Sequence, residues 1–170
     1  YPIELAGSQA DLSGIECRPP GEIVPYGFRI SSTEVINAIF ENNSAYNPDI
    51  YTLKGRNALG FNSVIPAQNE YNQVMSSNAV PNTFLVVASN DDTQVAIVPA
   101  KNLSGGYPAG DTIHLTLQKG EVFVAQATGG NANNHLGGSF VMANKEVVVM
   151  VADDTMQPSF SSGPDLAADQ

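Results

Sequence analysis

From residue 27 onward, short runs rich in Val, Ile, Phe and Thr alternate with clusters of Gly, Pro, Asn, Asp and Ser. That rhythm predicts an all-β fold, an antiparallel β-sandwich with little or no helix. Strands are expected at 27–31, 34–41, 58–65, 83–89, 93–99, 112–117, 121–128, 138–143 and 146–152. In TIHLTLQ, Thr112, His114, Thr116 and Gln118 share one face of a pleated strand, and Ile113, Leu115 and Leu117 share the other. The run EVVVMVA is apolar from Val147 to Ala152, which predicts a central strand covered on both faces.

The stretch TEVINAIFEN fits both periods, with Val35, Ile36, Ile39 and Phe40 at helical spacing and Val35, Asn37, Ile39 and Glu41 in strand alternation. A weak internal repeat decides it. GFRISSTEVINAIFEN (27–42) lies over SFVMANKEVVVMVADD (139–154), matching Phe28 to Phe140, Glu34 to Glu146 and Val35 to Val147. The second copy is β-branched at Val147, Val148 and Val149, so both copies are read as strand pairs and the fold as two related β units.

Residues 1–26 carry Pro2, Pro19, Pro20 and Pro25, which cannot donate to a ladder; this segment reads as an irregular lead-in or an edge strand, with the sandwich domain at 27–170. The segments 42–60 and 67–82 are rich in Asn, Ser, Pro and Gly and read as long loops, the natural place for a binding surface. Aromatics beside amides suit sugar or peptide surfaces, so Tyr46, Asn47, Tyr51, Asn69 and Tyr71 are the candidate ligand-binding residues.

Composition narrows the partners. Seventeen acidic against seven basic residues give a net charge of −10, which repels phosphate backbones and anionic lipid and argues against nucleic acid. No run approaches the roughly 18 apolar residues of a membrane span. The first residues lack the basic, apolar, small-residue plan of a signal peptide, so export implies a signal removed or lying upstream. With 14% charged residues the surface is polar but lightly charged, as in extracellular β proteins. The lone Cys17 cannot form an intrachain disulfide and reads as a small buried hydrophobe.

In FLVVASNDDTQVAIVP (84–99), two apolar runs flank Asn90, Asp91, Asp92 and Thr93. The spacing is that of a hairpin, and Asn and Asp tolerate the left-handed backbone that hairpin turns need. The other reading is calcium, which takes six to eight oxygens; it requires Asp91 and Asp92 to converge with Asp153 and Asp154, because no linear calcium loop is present.

Catalytic signatures are weak. His114 and His135 with Cys17 could supply three zinc ligands, yet no short ligand pair exists, and both histidines read as surface or loop residues. No Gly-x-Ser-x-Gly elbow is present for a nucleophilic triad. A carboxylate pair for glycoside chemistry is made in space, and Glu34, Glu41, Glu70, Glu121 and Glu146 are the available glutamates. LSGGYPAGD (103–111) lacks the Lys and the helix of a phosphate loop and reads as a linker. Asn42 and Asn102 begin Asn-x-Ser sequons, while Asp111-Thr112-Ile113 and Asp154-Thr155-Met156 resemble an O-glycosylation pattern of exported bacterial proteins.

The runs NPDIYTLKGRNALG, ASNDDTQVAIVPAKN, AGDTIHLTLQKGEVFVAQATG, NHLGGSFVMANKEVVVMVADD and GPDLAADQ, in that order, resemble the IgG-Fc-binding-protein N-terminal-like domain, over roughly 27–170. That family occurs in large secreted or surface-attached proteins of Gram-negative bacteria and in animal mucus-associated proteins. The resemblance implies an extracellular, non-catalytic β module of a larger bacterial surface protein, recognising glycan or protein ligands on a cell or matrix surface. It carries over no ligand-binding residue. Such domains continue past the pair matching Asp169-Gln170, which implies a sheet edge open to a further strand. From that edge comes a second expectation, a structural subunit of a cell-surface secretion or motility assembly.

Overall fold

The computed structural model describes residues 17–42, 49–73 and 81–153. Among the described residues nine strands form in chain order: β1 (Ile23–Val24), β2 (Ile39–Asn42), β3 (Asp49–Thr52), β4 (Leu59–Val64), β5 (Thr83–Ala88), β6 (Thr93–Val98), β7 (Ile113–Leu117), β8 (Val122–Gln126) and β9 (Phe140–Ala152). Every pairing is antiparallel. The helical content of the described residues is two short 3₁₀ turns, Gly55–Ala58 and Ala132–Asn134. The all-β expectation holds.

Seven strands share one sheet, ordered β1-β8-β5-β9-β6-β7, with β4 on the other edge of β9. β2 and β3 form a separate two-stranded sheet. Strand β9 organises the large sheet. Its first half pairs with β6, from Val98↔Phe140 to Val95↔Ala143, and its second half pairs with β5, from Ala88↔Val147 to Thr83↔Ala152. On its opposite edge it carries β4, through a bulge between Gly60 and Asn62.

This corrects the hairpin reading of 84–99. β5 and β6 do not pair with each other; they run one after the other along β9, and each pairs on its far side with β8 or β7. Between Ala88 and Val95 the chain takes seven steps while β9 takes four, from Val147 back to Ala143, so three extra residues are looped out. Extra residues on one strand bend it and increase its twist. The acidic knot is therefore a corner, and the chain leaves it in the direction it entered.

The corner folds the sheet over one shared core. Phe84, Val86, Phe123 and Ala125 from the β5–β8 half pack in one cluster with Val95, Ile97, Ile113 and Leu117 from the β6–β7 half, joined by Val141 and Val147 of β9. A strand that passes between two packed layers at a bend is one way to build a sandwich. Along β9 the core-facing positions share one parity, Val141, Ala143, Val147, Val149 and Val151 all meeting this core, with Lys145 between them reaching Asp91 instead. On the outer face Leu85, Val87, Val122 and Val124 are covered by Cys17, Val24 and Tyr26. That cover explains why the sequence is apolar at consecutive positions in this part of the sheet. Burial also pushes the Cys17 thiol up from its ordinary pKa.

Two further expectations are corrected. The segments 138–143 and 146–152 fuse into the single strand β9, because Asn144, Lys145 and Glu146 stay extended where a turn was expected. In 27–41 strand structure begins only at Ile39, so the two copies of the repeat are not equivalent and do not make two related β units. Exposed Phe28, Ile30, Val35 and Ile36 show the reason: this copy meets no core that would hold it extended. Gly27 does make a close backbone approach, donating its N–H to Gly120 O at 2.9 Å, where a Cβ would stand 2.5 Å from that oxygen.

Replacing Phe84, which is fully buried at the middle of the shared core, by Ala is expected to cost about 3–5 kcal/mol. Urea denaturation of the two proteins measures it. A cost under about 1 kcal/mol would mean that Phe84 does not sit in a packed interior.

Candidate functional site

The corner accounts for its own carboxylates. Asp92 has φ of 50°, a left-handed residue, and its N–H donates to Gln118 Oε1 at 3.2 Å while Gln118 Nε2 donates back to Asp92 Oδ1 at 3.2 Å. Lys119 N–H donates to Asp91 Oδ1 at 3.0 Å, and Lys145 Nζ donates to Asp91 O at 2.6 Å. Thr93 Oγ1 donates to Asn90 O at 2.6 Å, and Ser89 Oγ donates to Glu146 O at 2.6 Å. These bonds tie the looped-out residues to the 118–121 turn and to β9. Asp and Asn serve here as local backbone partners.

Asp153 lies elsewhere. It follows Ala152, which pairs with Thr83 at the opposite end of β5 from the corner, so roughly 17 Å of strand at 3.4 Å per residue separates it from Asp91 and Asp92. Asp154 lies outside the described residues. The described carboxylates of the calcium set are thus not brought together, and no cluster of three metal-ligating side chains occurs among the described residues. His114 is exposed on β7 and His135 is buried, so the zinc combination is not assembled either.

The end of the sheet holding Asp153 is unusually polar inside. Gln73, Asn82, Thr83, His135, Ser139 and Asp153 are all buried there. Asn82 is the hub: its Oδ1 accepts from Leu136 N–H at 2.8 Å, its backbone O from Ala127 N–H at 2.9 Å, and its N–H donates to Gln73 Oε1 at 3.2 Å. One residue thereby connects the start of β5, the end of β8 and the 132–136 turn. The stretch after β4 is docked on the same end, with Ile65 N–H donating to Ser139 O and Gly138 N–H to Ile65 O. Ser139 Oγ accepts from Ala100 N–H at 2.9 Å.

His135 is 2% exposed, and its ring is fixed from one side. Nδ1 lies 2.7 Å from Gln68 O, 3.3 Å from Asp153 Oδ2 and 3.0 Å from Gln68 Nε2. The Gln68 amide is oriented by its own bonds: Oε1 accepts from Glu70 and Tyr71 N–H at 2.8 Å each, and Nε2 donates to Tyr71 O at 3.0 Å. Gln68 O, Asp153 Oδ2 and the Gln68 amide nitrogen thus surround Nδ1. Nε2 is buried and has no hydrogen-bond partner among the described residues. Next to this residue opens a pocket of about 220 Å³ whose lining includes His135, Asn69, Asn133, Lys101, Ala67, Gly137 and Gly138.

Of the candidate ligand-binding residues, Asn69 lines this pocket and Tyr71 sits on the turn that Gln68 closes over His135. Tyr51 stacks on Phe40 in the separate β2–β3 sheet, with centroids 5.0 Å apart. Tyr46 and Asn47 lie outside the described residues. Sequence reasoning missed Lys101 and Asn133, and it read His135 as a surface or loop residue where the structure buries it. The signal available for His135 was the glycine-rich surround of NNHLGG, where backbones approach closely: a Cβ on Gly137 would stand 2.6 Å from Ala67 O.

Asn82→Ala is expected to strand the Leu136 N–H and to cost about 1–3 kcal/mol of stability, read by thermal or chemical unfolding. Melting temperatures with calcium and with a chelator should coincide, because the corner carboxylates accept backbone and Gln118 hydrogen bonds and Asp153 is distant. A rise of several degrees on adding calcium would show that a cation site exists after all.

A family model described as IgGFc binding protein matches residues 52–170, which takes in β4 through β9. No curated protein and no solved structure matches the chain. No helix of the described residues is long and apolar enough to cross a membrane.

Proposed function

The chain belongs to the IgGFc binding protein family, and from that premise we propose that it is an extracellular, non-catalytic binding module of a larger bacterial surface protein. Its ligand is a protein or a glycan on a cell or matrix surface, engaged at the polar end of the sandwich. The observation that carries this reading is the partly open pocket beside a buried polar network. Such concave places with a few fixed polar groups are where binding sites occur. The loops around it supply Asn69 and Tyr71, displayed by a rigid sheet. The family name supports a protein ligand.

A second reading, a subunit of a secretion or motility assembly, is favoured by one feature. Among the described residues β4 pairs only with β9, and Phe61 and Val64 on it are exposed, which leaves an apolar edge strand ready for strand addition.

Immobilised glycans and serum proteins, including IgG Fc, probed with the purified chain should yield at least one saturable interaction that Asn69→Ala with Tyr71→Ala weakens about tenfold, the loss of roughly 1.4 kcal/mol. Blank surfaces together with a defined oligomer by ultracentrifugation would transfer the assignment to the assembly reading.

A further inference from the structure

We propose that the β2–β3 hairpin of one copy adds to the β4 edge of a second copy, and the reverse, so that two copies form a symmetric dimer. The inference rests on the strand-addition reading of that edge and names its partner; it does not involve the polar end. Among the described residues β2 and β3 pair only with each other. A lone two-stranded hairpin is marginal in water and becomes stable when a further strand or a packed face is added. This one leaves its apolar side chains in solvent: Ile39 is 55% exposed and Ile50 64%, and Phe40 and Leu53 are exposed as well. Uncovered apolar surface on that scale marks an interaction site.

β4 has the matching vacancy. Its outer edge pairs with no other strand among the described residues, Phe61 is 49% exposed and Val64 65%, and no charged residue or proline interrupts LGFNSV. Natural edges are usually blunted by such residues, and this one is not. Consecutive Ile39 and Phe40 face opposite ways, so β2 offers an apolar side chain to either face of the sheet it joins.

Two observations select a second copy as the occupant. The first is that one chain carries both vacancies and does not pair them with each other. Exchange between two copies fills both, whereas a foreign strand on β4 leaves the hairpin uncovered. From Thr52 to Leu59 is at most about 25 Å of chain, so one two-fold axis can bring both contacts into a single interface. The second observation is charge. Segment 39–52 carries Glu41 and Asp49 and no basic residue, while 53–64 carries Lys54 and Arg56 and no acidic one. Hairpin on edge therefore sets opposite charges together and offsets the repulsion between two chains of net charge −10. Glu41, Lys54 and Arg56 make no ion pair among the described residues, which leaves them available across the contact.

The test is sedimentation equilibrium of the full chain, which should show a reversible dimer. Ile39→Asn and Val64→Asn, both at exposed positions, should each weaken it at least about tenfold, the loss of one apolar side chain from the contact. An equimolar mixture of the two variants should associate more tightly than either alone, because it keeps one intact hairpin and one intact edge for the same contact; that recovery also shows that both variants fold. Lys54→Glu combined with Arg56→Glu should weaken the parent dimer several-fold at low salt. The proposal is overturned if the chain is monomeric, if either Asn variant or the charge reversal dimerises as the parent does, or if the mixture gains nothing, as it would were β4 paired with β4. A monomer that captures a ligand leaves the binding-module reading standing, and a monomer that takes up a foreign strand at β4 leaves the assembly reading standing; both overturn the dimer.

Discussion

One strand carries the architecture. β9 is thirteen residues long, pairs on both edges, and gives one half of its length to β6 and the other to β5. Its core-facing positions fall on one parity, interrupted only at Lys145 opposite the corner, so Val141 and Val151 belong to the same core although they serve opposite halves of the sheet. An antiparallel ladder with neighbours on both sides satisfies its backbone groups internally, and burial of Val141, Ala143, Val147, Val149 and Val151 against the core supplies the main driving force. The other strands are arranged around that fixed line.

Two polar places follow from it, and they differ in kind. At the middle of β9 the three looped-out residues make a corner whose side chains bind nearby backbone and Gln118, so its acidity is consumed in holding a bend. At the far end of β9 the chain delivers Asp153 next to Asn82, and the 132–138 turn closes over them. Here polar groups are buried instead of solvated, and His135 Nε2 finds no partner among the described residues. The first arrangement is complete in itself; the second is not.

The sequence pattern revealed strand positions well wherever burial alternated or saturated. β4 through β8 lie within a residue or two of the predicted runs, and the exposed His114 with buried Ile113 and Leu117 follows the expected two faces. Pairing was not legible in the same way. Two apolar runs separated by Asn-Asp-Asp look alike whether the chain reverses or merely bends, since both need turn residues and a left-handed position such as Asp92. Only the partner decides, and β9 is more than forty residues away in sequence. The apparent repeat misled for a related reason: Val35 and Val147 match in type, but Val147 is buried against the core while Val35 is fully exposed. At the site, loop composition pointed to Asn69, whereas Lys101 and Asn133 come from separate loops that only the fold unites.

The most direct check of this account is the pattern of long-range proton NOEs along β9. The structure requires cross-strand contacts from Val95 to Ala143 and from Val86 to Val149, with none between the 83–88 and 93–98 backbones. NOEs joining those two segments to each other as a hairpin would dissolve the corner, the shared core and the polar end built upon them.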